Sequence, residues 1–368
     1  LKLLFFYFFA IIKKIILRRT TLSNLKNKNE LHIAFSLGSI IDTKKAEEIL
    51  ANKGVAAFQE TLKKYRDNDA IFDPGPSLGF FIALRKLNRL VPDDVLKIKF
   101  ALISKIDPNP NVSAVILNSM THYLEENKEE TNDFGFDVIM LTNGKDTTFC
   151  HRVFKTDLMF TTDNNNAKSL FKSNFPVVCI PNVSKEYNKA LYEKKDESIV
   201  LFSDYDGVIG DASGETIFQD ALSQNIDPVQ AFLNYEKENE HMIMELGPLG
   251  NFIQKLGRVV KYQKYQQNKS GNNIDLFNTI LITARSGQAK NRLLKTLEHN
   301  KIEISELYML QGQNKNDLLS ELGVIYKGYN LLFFDDSEIH FKRSQELRDI
   351  ISGWVPNKEN TERNKEED

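Results

Sequence analysis

The sequence predicts an α/β protein made of two related units, each a parallel sheet between layers of helices. Three observations carry that prediction. The composition is that of an ordinary globular chain, 41% apolar and 27% charged over 368 residues. Short apolar runs ending in turn residues alternate with amphipathic helical stretches, the pattern of buried parallel strands with crossover helices. Finally, a set of landmarks recurs in the same order in both halves.

The composition also sets exclusions. It rules out collagen-like, mucin-like and largely disordered chains, and the length leaves room for two sizeable cores. The 48 basic and 50 acidic residues nearly cancel, so no broad basic field exists for a nucleic acid polymer. An anionic ligand therefore needs a local group of cations or a metal. Two cysteines, Cys150 and Cys179, supply neither a disulfide framework nor a cysteine-rich zinc site, and the expected compartment is the reducing cytoplasm.

At the amino end, Leu3-Leu-Phe-Phe-Tyr-Phe-Phe-Ala-Ile-Ile12 is apolar but is soon interrupted by Lys13, Lys14, Arg18 and Arg19. A spanning helix needs about 20 apolar residues, so no stable membrane insertion is expected. Residues 1–30 read as a disordered or non-native leader, with a membrane-surface anchor as the lesser reading. Residues 357–368 are almost wholly polar and read as a disordered, charged tail.

Between these ends the landmarks pair up. Ile33-Ala-Phe-Ser-Leu-Gly-Ser-Ile-Ile-Asp42 opens residues 31–198, and Ile199-Val-Leu-Phe-Ser-Asp-Tyr-Asp-Gly-Val-Ile209 opens residues 199–356. Val55-Ala-Ala-Phe58 and Val229-Gln-Ala-Phe232 each enter a charged helical stretch. Gly75-Pro76 and Gly247-Pro248 each precede a phenylalanine-bearing helix. Phe100-Ala-Leu-Ile-Ser104 matches Thr279-Ile-Leu-Ile-Thr283, and Asp157-Leu-Met-Phe-Thr-Thr162 matches Asn330-Leu-Leu-Phe-Phe-Asp-Asp336. Parallel sheets bind ligands at the carboxyl ends of their strands. There the second half carries Asp204, Asp206, Thr283, Asp335 and Asp336, whereas the first carries Ser36, Gly38, Ser104, Thr161 and Thr162. The first half thus reads as a non-catalytic copy; unrelated α/β domains sharing generic patterning are the bland alternative.

Each motif of the second half is weak alone. Asp204 and Asp206 lie two apart at a strand end and can face one way, with Gly207 permitting a sharp turn. Like charges that close need a cation or a shared proton between them. One carboxylate can attack phosphorus while the other handles a proton; a plain surface turn is the competing reading. Thr283 ends a strand before a helix, as in a phosphate cradle or an ordinary N-cap. Lys315 sits in a polar loop, where a solvated lysine is the default. Asp335 and Asp336 end a strongly apolar strand, and burying them without a cation would be costly; Mg²⁺ suits such oxygen ligands.

Taken in order, Asp-x-Asp-Gly, strand-end Thr, Lys and strand-end Asp-Asp resemble the four motifs of the haloacid-dehalogenase-like phosphohydrolases. From about His32 to Phe341 the chain more closely resembles the cytosolic 5′-nucleotidase type I family. The likeness includes Glu236-Lys-Glu-Asn-Glu240, Gly247-Pro248-Leu249, Thr283-Ala-Arg-Ser286 and Phe333-Phe-Asp-Asp336 with His340. It departs from the family pattern at Ser104-Lys105-Ile106 and at Ser337.

The resemblance implies Rossmann-like, haloacid-dehalogenase-like three-layer units, with a mainly helical cap inserted at about residues 211–275. It implies Asp204 as nucleophile, Asp206 as general acid and base, and Thr283 and Lys315 as phosphate ligands. A Mg²⁺ ion would be held by Asp204, the backbone carbonyl of Asp206 and Asp335, with Asp336 in support. Arg285 fits a phosphate or ribose contact, or a salt bridge within the helix start. Phe232, and less so Tyr235, fits nucleobase stacking or packing inside the cap. The expected activity is Mg²⁺-dependent hydrolysis of nucleoside 5′-monophosphates, AMP or a similar purine nucleotide, through an aspartyl-phosphate. A phosphatase acting on another small phosphoester and a non-catalytic nucleotide-binding regulator are the alternatives. The expected partner is a small nucleotide; homo-oligomerisation stays open.

Overall fold

The computed structural model describes residues 29–193, 198–271 and 274–362. The leader expected over residues 1–30 therefore lies almost wholly outside the described residues, as do residues 363–368. The first half contributes strands β1 (Glu30–Phe35), β2 (Lys97–Ser104), β3 (Val138–Leu141), β4 (Leu158–Thr161) and β5 (Val177–Cys179). The second contributes β6 (Ile199–Ser203), β7 (Phe277–Thr283), β8 (Glu306–Met309), β9 (Asn330–Asp335) and β10 (Ile350–Trp354).

These strands form one mostly parallel sheet in the order β3-β2-β1-β4-β5-β10-β9-β6-β7-β8. Two separate parallel sheets were expected; the observed sheet is continuous. The halves meet edge to edge where β10 pairs antiparallel with β5 through Trp354 and Cys179. Gly353 permits this approach, since a Cβ there would lie 2.4 Å from Cγ1 of Val178. Joining the halves removes two exposed edges that would otherwise invite non-specific pairing. It also makes the strands of the two halves run in opposite directions, so their carboxyl ends open toward opposite edges of the sheet.

Counted within its own half, each set of strands runs third, second, first, fourth, fifth. The correspondence extends to individual hydrogen bonds. The Ser36 amide donates to the Phe160 carbonyl as the Asp204 amide donates to that of Phe334. Thr142, Asn143 and Gly144 donate to the carbonyls of Ser104, Ile106 and Lys105, while Leu310, Gln311 and Gly312 donate to those of Thr283, Arg285 and Ala284. Both turns place their middle residues at positive φ: Asn143 and Gly144 at 50° and 77°, Gln311 and Gly312 at 52° and 78°. Ser36 thus stands opposite Asp204, Ser104 opposite Thr283, and Thr161 and Thr162 opposite Asp335 and Asp336.

The helices follow from local sequence. Asp227 accepts hydrogen bonds from the amides of Val229 and Gln230 ahead of Pro228, which starts the Pro228–Glu238 helix. Gly271, at φ 70°, closes the Gly250–Ser270 helix. That long helix packs on the sheet through Phe252, Ile253, Leu256, Val259 and Val260, all buried with Leu201 and Leu281. Its wide apolar stripe places it in the flanking layer, although sequence reading assigned all of residues 211–275 to a cap. Only the helices Ser213–Ser223 and Pro228–Glu238 lie clear of that layer. At the corresponding place the first half has Lys44–Asp67, broken at Gly54.

The expectation of a disordered tail over residues 357–368 fails for its described part, residues 357–362. Residues 358–362 form a short helix, and Asn357 and Thr361 are buried. Asn357 is held because its side-chain amide donates to Asp336 and its carbonyl oxygens accept from Asn360 and Thr361.

Candidate active site

The site lies at the carboxyl ends of β6, β7 and β9. Central strands of a parallel sheet are buried on both faces, and the apolar runs Ile199–Ser203 and Asn330–Asp335 are buried along their whole length. Their last polar residues are thereby held on rigid elements at one crevice. Asp204 follows β6, and Gly207 turns the chain at φ 71° beneath it. Only glycine fits there, because a Cβ would lie 2.3 Å from Oδ2 of Asp336.

The structure brings together the acids that the sequence separates by 131 positions. Oxygens of Asp204, Asp335 and Asp336 lie within 4.8 Å of one another. Nζ of Lys315 sits 2.6 Å from Asp204 and 2.7 Å from Asp335. Lys315 is the first residue of the Lys315–Ile325 helix and is 2% exposed, so the solvated-lysine default does not hold. The Tyr205 amide donates to Asp204 and the Ser337 amide to Asp335. Nδ1 of His340 lies 3.5 Å from Asp335. Thr283 is fully buried at the end of neighbouring β7, and its hydroxyl accepts from the Arg285 amide at 3.2 Å.

The electrostatics follow from burial and crowding. Burial pushes the Asp204 carboxyl up to about 7; Lys315 opposes this, while Asp335 and Asp206 add to it. Burial and the neighbouring carboxylates hold Asp336 well above its ordinary value. For Asp335, burial is outweighed by Lys315 and His340, and its pKa falls. One lysine is too little positive charge to keep three adjacent carboxylates ionised. A hard divalent cation among these oxygens would do so, and the donor set fits it.

Asp206 does not join that group. Its carboxylate is gripped by Arg285 at two points, Nε to Oδ2 at 2.8 Å and Nη2 to Oδ1 at 2.7 Å. Arg285 also pairs with Glu236, which accepts from Arg292 at 3.0 Å. The guanidinium of Arg285 lies 5.2 Å from the ring centres of both Tyr205 and Phe232, and Arg292 lies as far from Tyr235. Arg285 thus reaches across the crevice; it makes no salt bridge within its own helix start. Phe232 and Tyr235 face arginines.

Glu236, Arg292 and Asn357 are the participants that sequence reading gave no role. Glu236 opens the run Glu236-Lys-Glu-Asn-Glu240, but nothing local marks its partners, which lie 49 and 56 positions away. For Asn357 a signal existed: Trp354 and Val355, directly upstream, are apolar and buried.

A profile of the 5′-nucleotidase family matches residues 23–362. Human cytosolic 5′-nucleotidase 1B is 25% identical over 335 residues, covering 89% of this chain and 49% of that protein. The chain therefore spans about half the length of that relative. No solved structure matches it.

Proposed function

The chain belongs to the 5′-nucleotidase family, a family of phosphoric monoester hydrolases, and from that premise we propose that it hydrolyses nucleoside 5′-monophosphates to nucleoside and phosphate. The observation that carries the reading is the bridge of Lys315 between Asp204 and Asp335 at a shared strand edge. Few structural roles would require a buried lysine among three carboxylates, whereas phosphoryl transfer requires charge neutralisation and positioning at one point.

Asp204 is the nucleophile. It attacks phosphorus in line, forming an aspartyl-phosphate as the bond to the 5′ oxygen breaks and that oxygen takes the electron pair. Asp206 gives the leaving oxygen its proton, then removes one from the water that releases phosphate. Lys315 and the Thr283 hydroxyl bind the transferring oxygens. Asp204, Asp335, Asp336 and the backbone carbonyl of Asp206 would hold Mg²⁺, which when bound neutralises charge on the phosphoryl group. The helices Ser213–Ser223 and Pro228–Glu238 act as the cap that excludes water, and in this reading Phe232, half-buried on the second of them, stacks on the nucleobase.

The two halves are a duplicated haloacid-dehalogenase-like unit, of which the second works and the first is scaffold. AMP or a related purine nucleotide is the proposed substrate and the cytoplasm the proposed location. Phosphate release from a panel of mononucleotides, with and without Mg²⁺, tests this reading. Turnover of purine monophosphates that disappears with the metal is expected. Brisk turnover of sugar phosphates with none of any mononucleotide would overturn it.

A further inference from the structure

We propose that Glu236, on the cap, is a positioning residue that sets the general acid Asp206 by fixing Arg285. The inference deepens the functional reading above and rests on it. Arg285 divides its donors: Nε and Nη2 go to Asp206, while Nη1 goes to Glu236. A carboxylate held at both oxygens by one guanidinium plane has its orientation set by that plane. The plane in turn is set by what holds the third nitrogen. Glu236 supplies that hold and is itself anchored by Arg292.

The chain of alternating charges runs inward from Asp206, whose side chain is 23% exposed, to Arg285 and Glu236, each 2% exposed. Only its outer end can meet substrate. Rings of Tyr205 and Phe232 flank Arg285. The cap helices close tightly here: a Cβ on Gly214 would lie 2.7 Å from the Phe232 ring. The two rings confine the guanidinium to its plane, and within that plane its direction is set by the anions on either side. Removing the Glu236 charge weakens the hold on Nη1, and the guanidinium can slide within that plane away from Asp206 toward any other anion in the crevice. Asp206 then loses the orientation that points its carboxyl group at the leaving oxygen. Because Glu236 belongs to the cap and Arg285 follows β7, the acid is aimed only when the cap sits on the core.

The step that Glu236 serves is one proton passing through Asp206, from the entering substrate phosphate to the 5′ oxygen, as the phosphorus–oxygen bond breaks. A thiolate leaves without that proton, since a thiol has a pKa of about 8.5. The test compares AMP with its analogue carrying sulfur in place of the bridging 5′ oxygen. Wild type and Glu236→Gln, each in excess over substrate, are assayed with both substrates for the single-turnover rate of nucleoside or thionucleoside release, which reads the first step alone, before Asp206 acts on water. Glu236→Gln is expected to lower the maximal single-turnover rate on AMP by about tenfold to a hundredfold, with the concentration giving half that rate changed by less than about threefold. On the thio analogue it is expected to stay within about twofold of wild type.

Equal losses in that first-step rate on both substrates would show a merely structural role and overturn the proposal, as would an undiminished first-step rate on AMP. If Glu236→Gln does not fold, Glu236→Asp decides. It keeps the charge but is too short to reach both arginines, so a loss confined to AMP supports the proposal and an equal loss on both substrates overturns it. Wild type inactive on both substrates would count against the nucleotidase reading itself.

Discussion

The halves of this molecule share a strand order, two landmark turns and the hydrogen bonds that close them, yet only one carries the polar set that phosphoryl transfer requires. Where Asp204 follows β6, Ser36 follows β1; where Asp335 ends β9 and Asp336 follows it, Thr161 ends β4 and Thr162 follows it. In the first half even the space is taken. A Cβ on Gly38 would lie 2.8 Å from the Thr162 hydroxyl, so no side chain like that of Asp206 fits. Lys145, near the turn that corresponds to the one before Lys315, is exposed, whereas Lys315 is buried. The backbone positions strand ends; it does not by itself make a site. The carboxylates and their buried lysine do: Lys315 lies between Asp204 and Asp335, and the side-chain amide of Asn357 donates to Asp336.

The largest effect is expected at the nucleophile. Asp204→Asn should reduce phosphate release by about 10⁴-fold or more, with the fold retained by circular dichroism. A variant with a tenth of wild-type activity would sink the assignment. Lys315→Met comes next, with turnover down by about 10²–10³-fold. It also leaves Asp204 and Asp335 buried beside each other, at about 3–5 kcal/mol in metal-free protein. Denaturant unfolding should show most of that loss returning when Mg²⁺ is added; no recovery would separate the lysine from the metal group.

A smaller effect distinguishes the first half. His151 is fully buried there, its Nδ1 3.0 Å from the Thr156 hydroxyl and its Nε2 without a hydrogen bond. Burial pushes its pKa from 6.5 down to about 4. Between those values the unfolded chain binds a proton that the folded one excludes, so stability rises with pH and is lost as pH falls through this window. The loss should approach about 3 kcal/mol near pH 4. Unfolding midpoints of wild type and His151→Phe across pH 7 to 4 measure it, and parallel curves would contradict it. The smallest effect is expected at Ser36, where Ser36→Ala should leave kcat/KM within about twofold. A large loss there would mean that the first half has a share in the chemistry.

The same contrast explains what could be read from sequence. Strands β1, β2, β4, β6, β7 and β9 are largely buried and therefore continuously apolar, which made them and their pairing between halves legible. The three-residue strand β5 and half-buried β8 carry too little pattern. The β5–β10 joint depends on Gly353 meeting Val178, a contact no local signal announces. At the site, acids at the ends of apolar strands were conspicuous because such positions are costly without a partner. Lys315 was not, since a lysine in a polar loop looks the same whether or not it folds inward. Glu236 and Arg292 gain meaning only through Arg285, after the chain has brought distant segments together.

Trapping the reaction intermediate tests the central claim most directly. Wild-type protein turning over a nucleoside monophosphate with Mg²⁺ would be quenched and reduced with borohydride, which converts an aspartyl-phosphate to homoserine, and then mapped by mass spectrometry. The predicted result is homoserine at position 204 alone, absent from Asp204→Asn. Homoserine at position 335 or 336, or turnover with no acyl-phosphate anywhere in the chain, would contradict it.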